Sequence, residues 1–418
     1  MLLRKERLII IVILRRHPRC REGSLLMEKT LQLAMENKDY IVEMRRHFHS
    51  HPEVSEHEEN TCKRVCEELE KMGLEPKVVC TSGTGVMCDI TGKGPGKTIA
   101  LRADMDALSV QELNDVPYKS TVDGLMHACG HDAHTATLLG AAKILNACRE
   151  DFNGTVRLLF QPAEETAYGA RAMIEAGCLD GVDATMGTHV NSNLKAGTFS
   201  VEAGPRLAAA NWFKYKFIGK PGHGALPHQG IDAGLAACAA ALDLQHLVSR
   251  EFPADKPLVI TVGRIEAGTR FNVIAAEATL EGTVRCFDPE VFKAVPAAME
   301  RVMRGVADAY RCELVVERAD AITLPCYNPD QASARGKATV LKLFGEDGIG
   351  FSPAQMGGED YSFMMDKVPD SLYVSVGTSN PEKGSAEPHH SGRFNVDEDA
   401  LPGASAMYAQ YAMDYLNE

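Results

Sequence analysis

The sequence predicts an α/β fold: a mixed, mostly parallel sheet with helices on both faces, interrupted by a smaller domain. From residue 84 to residue 188, short apolar segments alternate with amphipathic helical segments, the pattern of a parallel sheet. From residue 206 the order becomes β-α-β-β-α-β, the ferredoxin-like arrangement, and after residue 318 the first pattern resumes. We therefore predict one domain formed by residues 27–205 and 319–418, with residues 206–318 inserted into it.

The composition limits the classes of function. The chain has 418 residues, enough for two domains, and a net charge of −13. That acidic balance argues against nucleic acid or an anionic membrane as a partner. The 12 cysteines show no regular spacing, so we expect free thiols in a reducing cytoplasm.

Residues 1–26 form a basic segment with a short apolar run at residues 8–14. A spanning helix needs about 20 apolar residues, and arginines stand where a signal peptide would have its small-residue cleavage site. Two interpretations remain: a basic arm, or a start-site artefact with translation beginning at Met27. The intact mass of the natively expressed protein distinguishes them.

The first domain opens with two helical patterns. Ile41, Met44 and Phe48 share one helical face, and Ser55 followed by Glu58 fits a capping box for the next helix. Further helices are predicted at residues 134–147, 169–175, 332–344 and 402–416, and strands at residues 84–90, 98–103, 155–160, 184–188 and 371–376.

The inserted domain opens with residues 211–218, where aromatic and lysine side chains alternate as in a strand with one face in solvent. The elements predicted after it are a helix at residues 231–247, strands at 257–265 and 277–285, a helix at 289–310 and a strand at 313–318.

The segment of residues 125–134 concentrates groups that bind metal ions. It holds three histidines, one cysteine and one aspartate, and only Gly130 separates Cys129 from His131. Thiolate and imidazole are ligands of zinc and related transition metals, and glycine permits a tight path between them. A chance polar cluster at a helix start is the alternative, so a metal site needs ligands from elsewhere in the chain.

Polar residues also follow three predicted strands, where the ligands of a parallel sheet gather. They are Asp104 and Asp106 after residues 98–103, Glu164 and Glu165 after residues 155–160, and His189 after residues 184–188. A C-terminal loop adds His389 and His390. Each position alone also fits a solvated acid or a structural histidine. Their combination favours a metal centre in which one glutamate binds metal and the other polarises water.

Nine motifs, in order along the chain from Met27, carry a resemblance to a known family. They are R-R-H-F-H-S-H-P-E from Arg45, R-A-D-M-D-A-L from Arg102, M-H-A-C-G-H-D-A-H from Met126, Q-P-A-E-E from Gln161, G-H-G-A-L-P-H from Gly222, G-T-R-F-N-V-I from Gly268, L-E-G-T-V-R from Leu280, G-G-E-D-Y-S from Gly357 and H-H-S-G-R-F from His389. The chain resembles the metallopeptidase family that contains hippurate hydrolases, N-acyl-amino-acid amidohydrolases and plant auxin-conjugate (IAA-amino-acid) hydrolases.

The resemblance implies a catalytic domain with two divalent transition-metal ions: zinc, manganese, cobalt or nickel. Their ligands would be Cys129, His131, Glu165, His189 and His390. Glu164 takes the general-base position, so that a water bridging the ions would attack an amide carbonyl. Asp104, Asp106 and Asp132 are candidates for orienting the ligands.

The resemblance also implies that the inserted domain is a lid and dimerisation domain. His223 matches a histidine that stabilises an oxyanion, in many members across a dimer interface. Asn272 and Arg285 match positions that hold the substrate carboxylate, although Arg285 also fits a salt bridge within a strand. We therefore expect a homodimer and hinge closure.

The predicted function is hydrolysis of the amide bond of N-acyl or N-aroyl amino acids to a carboxylic acid and a free amino acid. A metallo-dipeptidase or aminopeptidase is the alternative in the same class, and a non-catalytic protein with a structural metal is the alternative outside it. A nucleobase deaminase is excluded because no P-C-x-x-C follows an H-x-E. Departures from the family pattern at residues 166–168, 190–193 and 275–276 leave the acyl specificity open.

Overall fold

The computed structural model describes residues 27–418. Both interpretations of residues 1–26 fall outside the described residues. In chain order the strands are β1 (Lys77–Val79), β2 (Gly85–Thr91), β3 (Thr98–Asp104), β4 (Thr155–Gln161), β5 (Ala184–Lys195), β6 (Phe199–Ser200), β7 (Gly204–Leu207), β8 (Ala209–Ile218), β9 (Leu258–Ala267), β10 (Glu277–Cys286), β11 (Glu313–Thr323), β12 (Cys326–Asn328) and β13 (Ser371–Ser379). The helices are α1 (Lys29–Glu36), α2 (Lys38–Ser50), α3 (Glu59–Lys71), α4 (His131–Ala147), α5 (Gly169–Glu175), α6 (Ala233–His246), α7 (Pro289–Tyr310), α8 (Asp330–Phe344), α9 (Tyr361–Lys367) and α10 (Leu401–Leu416).

The larger sheet has seven strands in the order β1-β2-β4-β3-β5-β13-β6. Its four central strands pair in parallel, whereas β1, β2 and β6 pair antiparallel at the edges. A short loop is enough for an antiparallel pair such as β1 and β2, while each parallel pair needs a crossover. The predicted parallel sheet is therefore confirmed at its centre.

Helices cover both faces of this sheet because both faces of its central strands are apolar. In β3, Ile99 and Leu101 pack into the core beneath α2, α4 and α10, while Ala100 points to the opposite face. There it joins Leu159 of β4 and a second core that includes α5 and α9. Alternation along a strand produces this division, and the predicted helices on both faces are confirmed.

The smaller sheet has four antiparallel strands in the order β11-β8-β10-β9. The elements follow one another as β8-α6-β9-β10-α7-β11, the predicted βαββαβ order. In β8 the aromatic side chains Phe213, Tyr215 and Phe217 are buried against this unit's own core, and the lysines between them are only partly covered. The unit therefore has a hydrophobic core separate from that of the seven-stranded sheet.

Two local predictions are wrong. Glu58 is the residue before α3 but caps nothing with its side chain, and Ser55 donates instead to Asp106 (2.7 Å). His189 lies within β5 rather than at its end, because the strand continues to Lys195 beside β13. Among residues 27–418, no helix is long and apolar enough to cross a membrane.

Candidate metal centre

The predicted metal-binding segments meet at one edge of the seven-stranded sheet. β3 ends at Asp104, β4 ends at Gln161 just before the two glutamates, and α4 begins at His131. The tight turn into α4 requires Gly130, because its φ is +91° and a Cβ there would lie 2.4 Å from Val190. This turn brings Cys129 close to β5.

Cys129, His131 and His189 form a first group of possible ligands, with donor atoms all within 4.8 Å of one another. Cys129 Sγ lies 3.5 Å from His189 Nε2. His189 Nδ1 donates to the carbonyl of Val190 (2.7 Å), so the free lone pair of the ring is on Nε2. Burial and neighbouring His134 lower the pKa of His189 well below its usual range, which favours the neutral ring that binds metal.

Cys129 also belongs to a second group, with Glu165 and His390. Glu165 Oε1 lies 3.6 Å from His390 Nε2 and 4.0 Å from His131 Nε2. The His390 backbone has φ +64° and donates to the carbonyl of Ala128 (2.8 Å). That hydrogen bond ties the C-terminal loop to the segment before Cys129, so residues far apart in sequence share one centre.

The donor atoms fit divalent metal ions. His131 Nε2 and Glu165 Oε1 are buried and have no hydrogen-bond partner among residues 27–418, an arrangement that is costly unless a ligand satisfies them. Donors on one ion at roughly 2.0–2.3 Å lie roughly 3–4 Å apart, as the spacings here do. Thiolate, imidazole and carboxylate together favour a transition metal over magnesium or calcium.

Asp106 orients two of the predicted ligands. Its Oδ1 and backbone carbonyl lie 3.1 and 2.9 Å from His131 Nδ1, so that His131 Nε2 is left facing Glu165. Its Oδ2 accepts from the backbone N–H of Glu165 (3.0 Å) and from Ser55. One buried carboxylate thus holds the imidazole and the loop that carries the glutamates.

Asp104 lies near His131 Nε2 (3.9 Å) and contacts the neighbouring His134. Its Oδ1 lies 2.5 Å from His134 Nδ1, and His134 Nε2 accepts from the backbone N–H of Val190 (2.8 Å). Both ring nitrogens of His134 are therefore engaged, so it supports the strand that carries His189. Asp104 Oδ2 accepts from Arg102 (2.7 Å).

Asp132 contacts none of the five predicted ligands through its carboxylate. It pairs with Arg45 (2.9 Å) and His49 (2.7 Å) of α2. All three side chains are buried, and Arg45 and His49 hold the pKa of Asp132 well below its usual range against the effect of burial. The sequence predicted Asp132 to orient the ligands; in the structure it joins the start of α4 to α2.

Glu164 lies between the metal-binding groups and a buried cluster of acids. It groups with His131 and Glu165 on one side and with Glu359 and Asp360 on the other. Burial and the carboxylates of Glu359 and Asp360 hold the pKa of Glu164 well above its usual range. A carboxylate of raised pKa is suited to accept and return a proton near neutral pH.

Sequence reasoning assigned no role to the residues that hold this acid cluster. Fully buried Arg102 binds Asp104, Glu359 (3.0 Å) and Asp360 (2.9 Å), and Gln161 donates to both oxygens of Asp360. The signal was present, because Arg102 and Gln161 each begin a motif and Glu359-Asp360 lie in another. The Arg102 guanidinium therefore connects Asp104, at the end of β3, with the acid cluster beside Glu164.

Glu58 holds the backbone just before the glutamate pair. Its Oε1 accepts from the N–H of Ala163 (2.8 Å), whose φ is +53°, a strained value for alanine. Glu58 is fully buried, and burial raises its pKa to about 7. This contact explains how the loop keeps the turn that presents Glu164 and Glu165.

The predicted lid residues are not among the donor groups of this centre. His223 and Asn272 lie together on exposed loops, linked by the Gly224 N–H to the Asn272 carbonyl (3.0 Å). Arg285 lies near the opposite end of β10, roughly 27 Å along the strand from Glu277 at ~3.4 Å per residue. Asn272 and Arg285 of one chain therefore lie towards opposite ends of β10, and their predicted role in holding the substrate carboxylate stays a prediction.

A cavity of about 260 Å³ opens onto the centre. Its lining includes Cys129, Glu164, Glu165, His189 and His390, and further residues come from β7, β13 and the loop of residues 352–359. No described residue between 208 and 351 lines it. The cavity therefore lies entirely outside the four-stranded unit.

Comparisons with known proteins place this chain in a family. The model of peptidase family M20/M25/M40 matches residues 100–414. The chain belongs to this family. The resemblance predicted from the motifs is therefore confirmed, and this M20 chain is a hydrolase.

Two relatives and one solved structure match nearly the whole chain. N-acetylcysteine deacetylase of Bacillus subtilis is 39% identical over 379 residues, with 89% of this chain and 96% of the relative covered. Thermostable carboxypeptidase 2 of Saccharolobus solfataricus is 37% identical over 397 residues, covering 94% and 100%. A crystal structure from Bacillus subtilis, described as a dinuclear metal-binding peptidase from the M20 family, matches with TM-score 0.80 and 36% identity, covering 92% and 99%. Family and donor set together identify a centre for divalent metal ions.

Proposed function

We propose that the protein hydrolyses the amide bond of N-acyl or N-aroyl amino acids, releasing a carboxylic acid and a free amino acid. The observation that carries the proposal is the position of Glu164, which lines the cavity and lies beside both the predicted ligands and the acid cluster. The M20 relative named as an N-acetylcysteine deacetylase supports this substrate class. Two transition-metal ions, of zinc, manganese, cobalt or nickel, would be held by Cys129, His131, Glu165, His189 and His390.

The residues of the chain divide the chemistry between them. Bound divalent ions would supply Lewis acidity at the amide carbonyl and lower the pKa of the attacking water towards ~7. Glu164 takes the proton from that water at its carboxylate and returns it to the nitrogen of the leaving amine. Asp106 keeps the His131 ring and the glutamate loop fixed while this happens.

The four-stranded unit serves, in this proposal, as a lid and a dimerisation domain. Its surface exposes large apolar side chains on α6 and β9, among them Leu242, Val259 and Ile265, and Phe271 beside Asn272 is 95% exposed. Such side chains are typical of a protein–protein interface. A homodimer would cover them and would let His223 and Asn272 of one subunit approach the cavity of the other.

The compartment that we propose is the cytoplasm. The 11 cysteines within residues 27–418 are free, as thiols are in a reducing environment.

The second candidate is a metallo-dipeptidase or another metallopeptidase acting on small peptides. The carboxypeptidase name of the Saccharolobus relative favours it, and the same centre would cleave a peptide bond by the same steps. The two functions differ in the group on the carbonyl side of the cleaved bond: an acyl group without an amine in the first, and an amino acid with a free α-amine in the second. A substrate comparison therefore separates them.

The test pairs a substrate screen with one variant. Metal-stripped and metal-reconstituted enzyme is assayed on N-acyl amino acids and on dipeptides with a free amine; hydrolysis of dipeptides alone would select the second candidate. Glu164→Gln should keep its metal content by elemental analysis and lose at least about a hundredfold in kcat. Glu175→Gln, at the exposed end of α5, is the control. Near-normal turnover by Glu164→Gln would exclude Glu164 as the general base.

A further inference from the structure

Arg206 on β7 is the only lysine or arginine among the described residues that line the cavity. The charged residues that share this lining are Glu164, Glu165 and Glu359, together with the histidines of the centre. A substrate of the proposed function carries a carboxylate, which those glutamates repel. Arg206 is therefore the side chain of the cavity suited to receive it.

The guanidinium of Arg206 is held in place by one of its nitrogens only. Nη1 donates to Glu202 Oε2 (3.1 Å) and to the backbone carbonyl of Ser352 (3.1 Å). Nε is buried and has no partner within residues 27–418, and no hydrogen bond from Nη2 is present there either. Nε is closed off from solvent, so Nη2 is the guanidinium donor left to reach a bound carboxylate.

The surroundings of Arg206 favour a bound anion over a purely structural arginine. The side chain is 11% exposed, so a hydrogen-bond donor left without an acceptor there is costly. Asn191, Asn193 and Gln355 line the same cavity and add neutral amide groups beside it. The hydrogen bonds to Glu202 and to the Ser352 carbonyl both use Nη1 and leave Nη2 without a partner among residues 27–418.

We infer that Arg206 is the carboxylate-binding residue of this cavity, so that the enzyme selects amides carrying a carboxylate. Two sources share this chemistry: the α-carboxylate of the amino acid, or a carboxylate at the end of the acyl group. The choice of substrates rests on the proposed function, whereas the binding of the carboxylate does not.

The test measures binding by calorimetry in metal-loaded Glu164→Gln protein, where turnover does not interfere. The probes are N-acetyl-alanine, N-succinyl-alaninamide and N-acetyl-alaninamide, which carry an α-carboxylate, an acyl carboxylate and no carboxylate. Adding Arg206→Met should raise the Kd of one carboxylate probe by about tenfold to a hundredfold and leave N-acetyl-alaninamide unchanged. The probe that loses affinity identifies the source.

Glu202→Gln is the matched control, because it removes the charge of the ion pair while the amide oxygen and the Ser352 carbonyl can still accept from Nη1. It should preserve the preference for the carboxylate probe. Equal losses in Arg206→Met and Glu202→Gln would show that the affinity depends on the ion pair and not on the free Nη2, and would overturn the inference. So would unchanged affinity in Arg206→Met, or no measurable binding of either carboxylate probe by the parent. Failure of the proposed function would show separately, as absence of hydrolysis by the wild-type enzyme.

Discussion

The metal centre and the predicted substrate-binding residues of the four-stranded unit differ in how completely one chain builds them. At the centre, Cys129, His131 and His189 come from different segments and place their donor atoms within 4.8 Å of one another. In the four-stranded unit, His223 and Asn272 are exposed, and Arg285 lies at the other end of the sheet. The donor atoms of the predicted metal centre converge within one chain, whereas the predicted substrate-binding residues of the four-stranded unit lie apart from one another.

The difference follows from topology. Parallel strands end at a common edge, so residues that follow β3 and β4 meet there without further help. In an antiparallel sheet, successive loops lie at opposite ends, so Asn272 before β10 and Arg285 near its end point to different neighbours. A second copy of the chain, related by twofold symmetry, is the simplest way to bring the two ends together.

His223→Ala tests this contrast most strongly. If His223 stabilises the oxyanion, kcat should fall by about a hundredfold to a thousandfold, although no described residue of its four-stranded unit lines the cavity of its own chain. The measurement is kcat and KM on the best N-acyl amino acid, with His228→Ala on the neighbouring exposed turn as the control.

A mixing experiment decides which subunit supplies His223. Glu164→Gln and His223→Ala proteins are each nearly inactive, but a mixed dimer would hold one site with both residues intact. After subunit exchange, activity should return to roughly a quarter of wild type, since half of the dimers are mixed and each has one working site of two. If His223 acts on its own subunit, no activity returns, and the contrast between the two regions fails.

Cys129→Ala tests the metal centre itself, with a smaller expected effect. Cys129 belongs to both groups of donors, so its loss should weaken metal binding by at least about tenfold. Elemental analysis after dialysis against a metal buffer measures this. Cys178→Ala, at a buried thiol in the core on the other face of the sheet, is the control. Unchanged metal content in Cys129→Ala would refute its role as a ligand.

Much of the fold could be predicted from the sequence because the helices and strands have clear periodicity. Helix α7 begins and ends where predicted, and the βαββαβ order was predicted before any strand was paired. The ligand set could be predicted from motifs, and its members converge in space. The roles of these residues as ligands remain predictions that the variants above test.

The rest depends on contacts that a one-dimensional pattern does not contain. Ser55 and Glu58 fit a capping box, but buried acceptors and donors elsewhere compete for them: Ser55 bonds Asp106, and Glu58 bonds Ala163. Arg206 is an ordinary surface arginine in sequence terms and becomes notable only because β7 turns it into the cavity. Sequence patterns indicate which chemistry a segment supports, and packing decides which partner each side chain meets.

The smallest predicted effect concerns Glu58, which is buried beside the metal centre, whereas the four-stranded unit supplies an exposed glutamate for comparison. Burial raises the pKa of Glu58 from 4.5 to about 7. A carboxyl whose pKa is higher in the folded than in the unfolded state adds stability that is fully present below pH 4.5 and is lost as the pH rises through about 7. The free energy of unfolding of the wild type should therefore fall as the pH rises from 4.5 to about 7. Glu58→Gln lacks this contribution, because its amide does not ionise and can still accept from Ala163.

Thermal unfolding at pH 5 and pH 8, with metal saturating throughout, measures this difference. Between the two values, the melting temperature of the wild type should drop by about 3 °C more than that of Glu58→Gln. Glu313→Gln in the four-stranded unit should behave like the wild type, because Glu313 is exposed to solvent. Equal pH dependence in the wild type and Glu58→Gln would show that Glu58 is ionised while buried. The loop before Glu164 would then be held by a charged carboxylate.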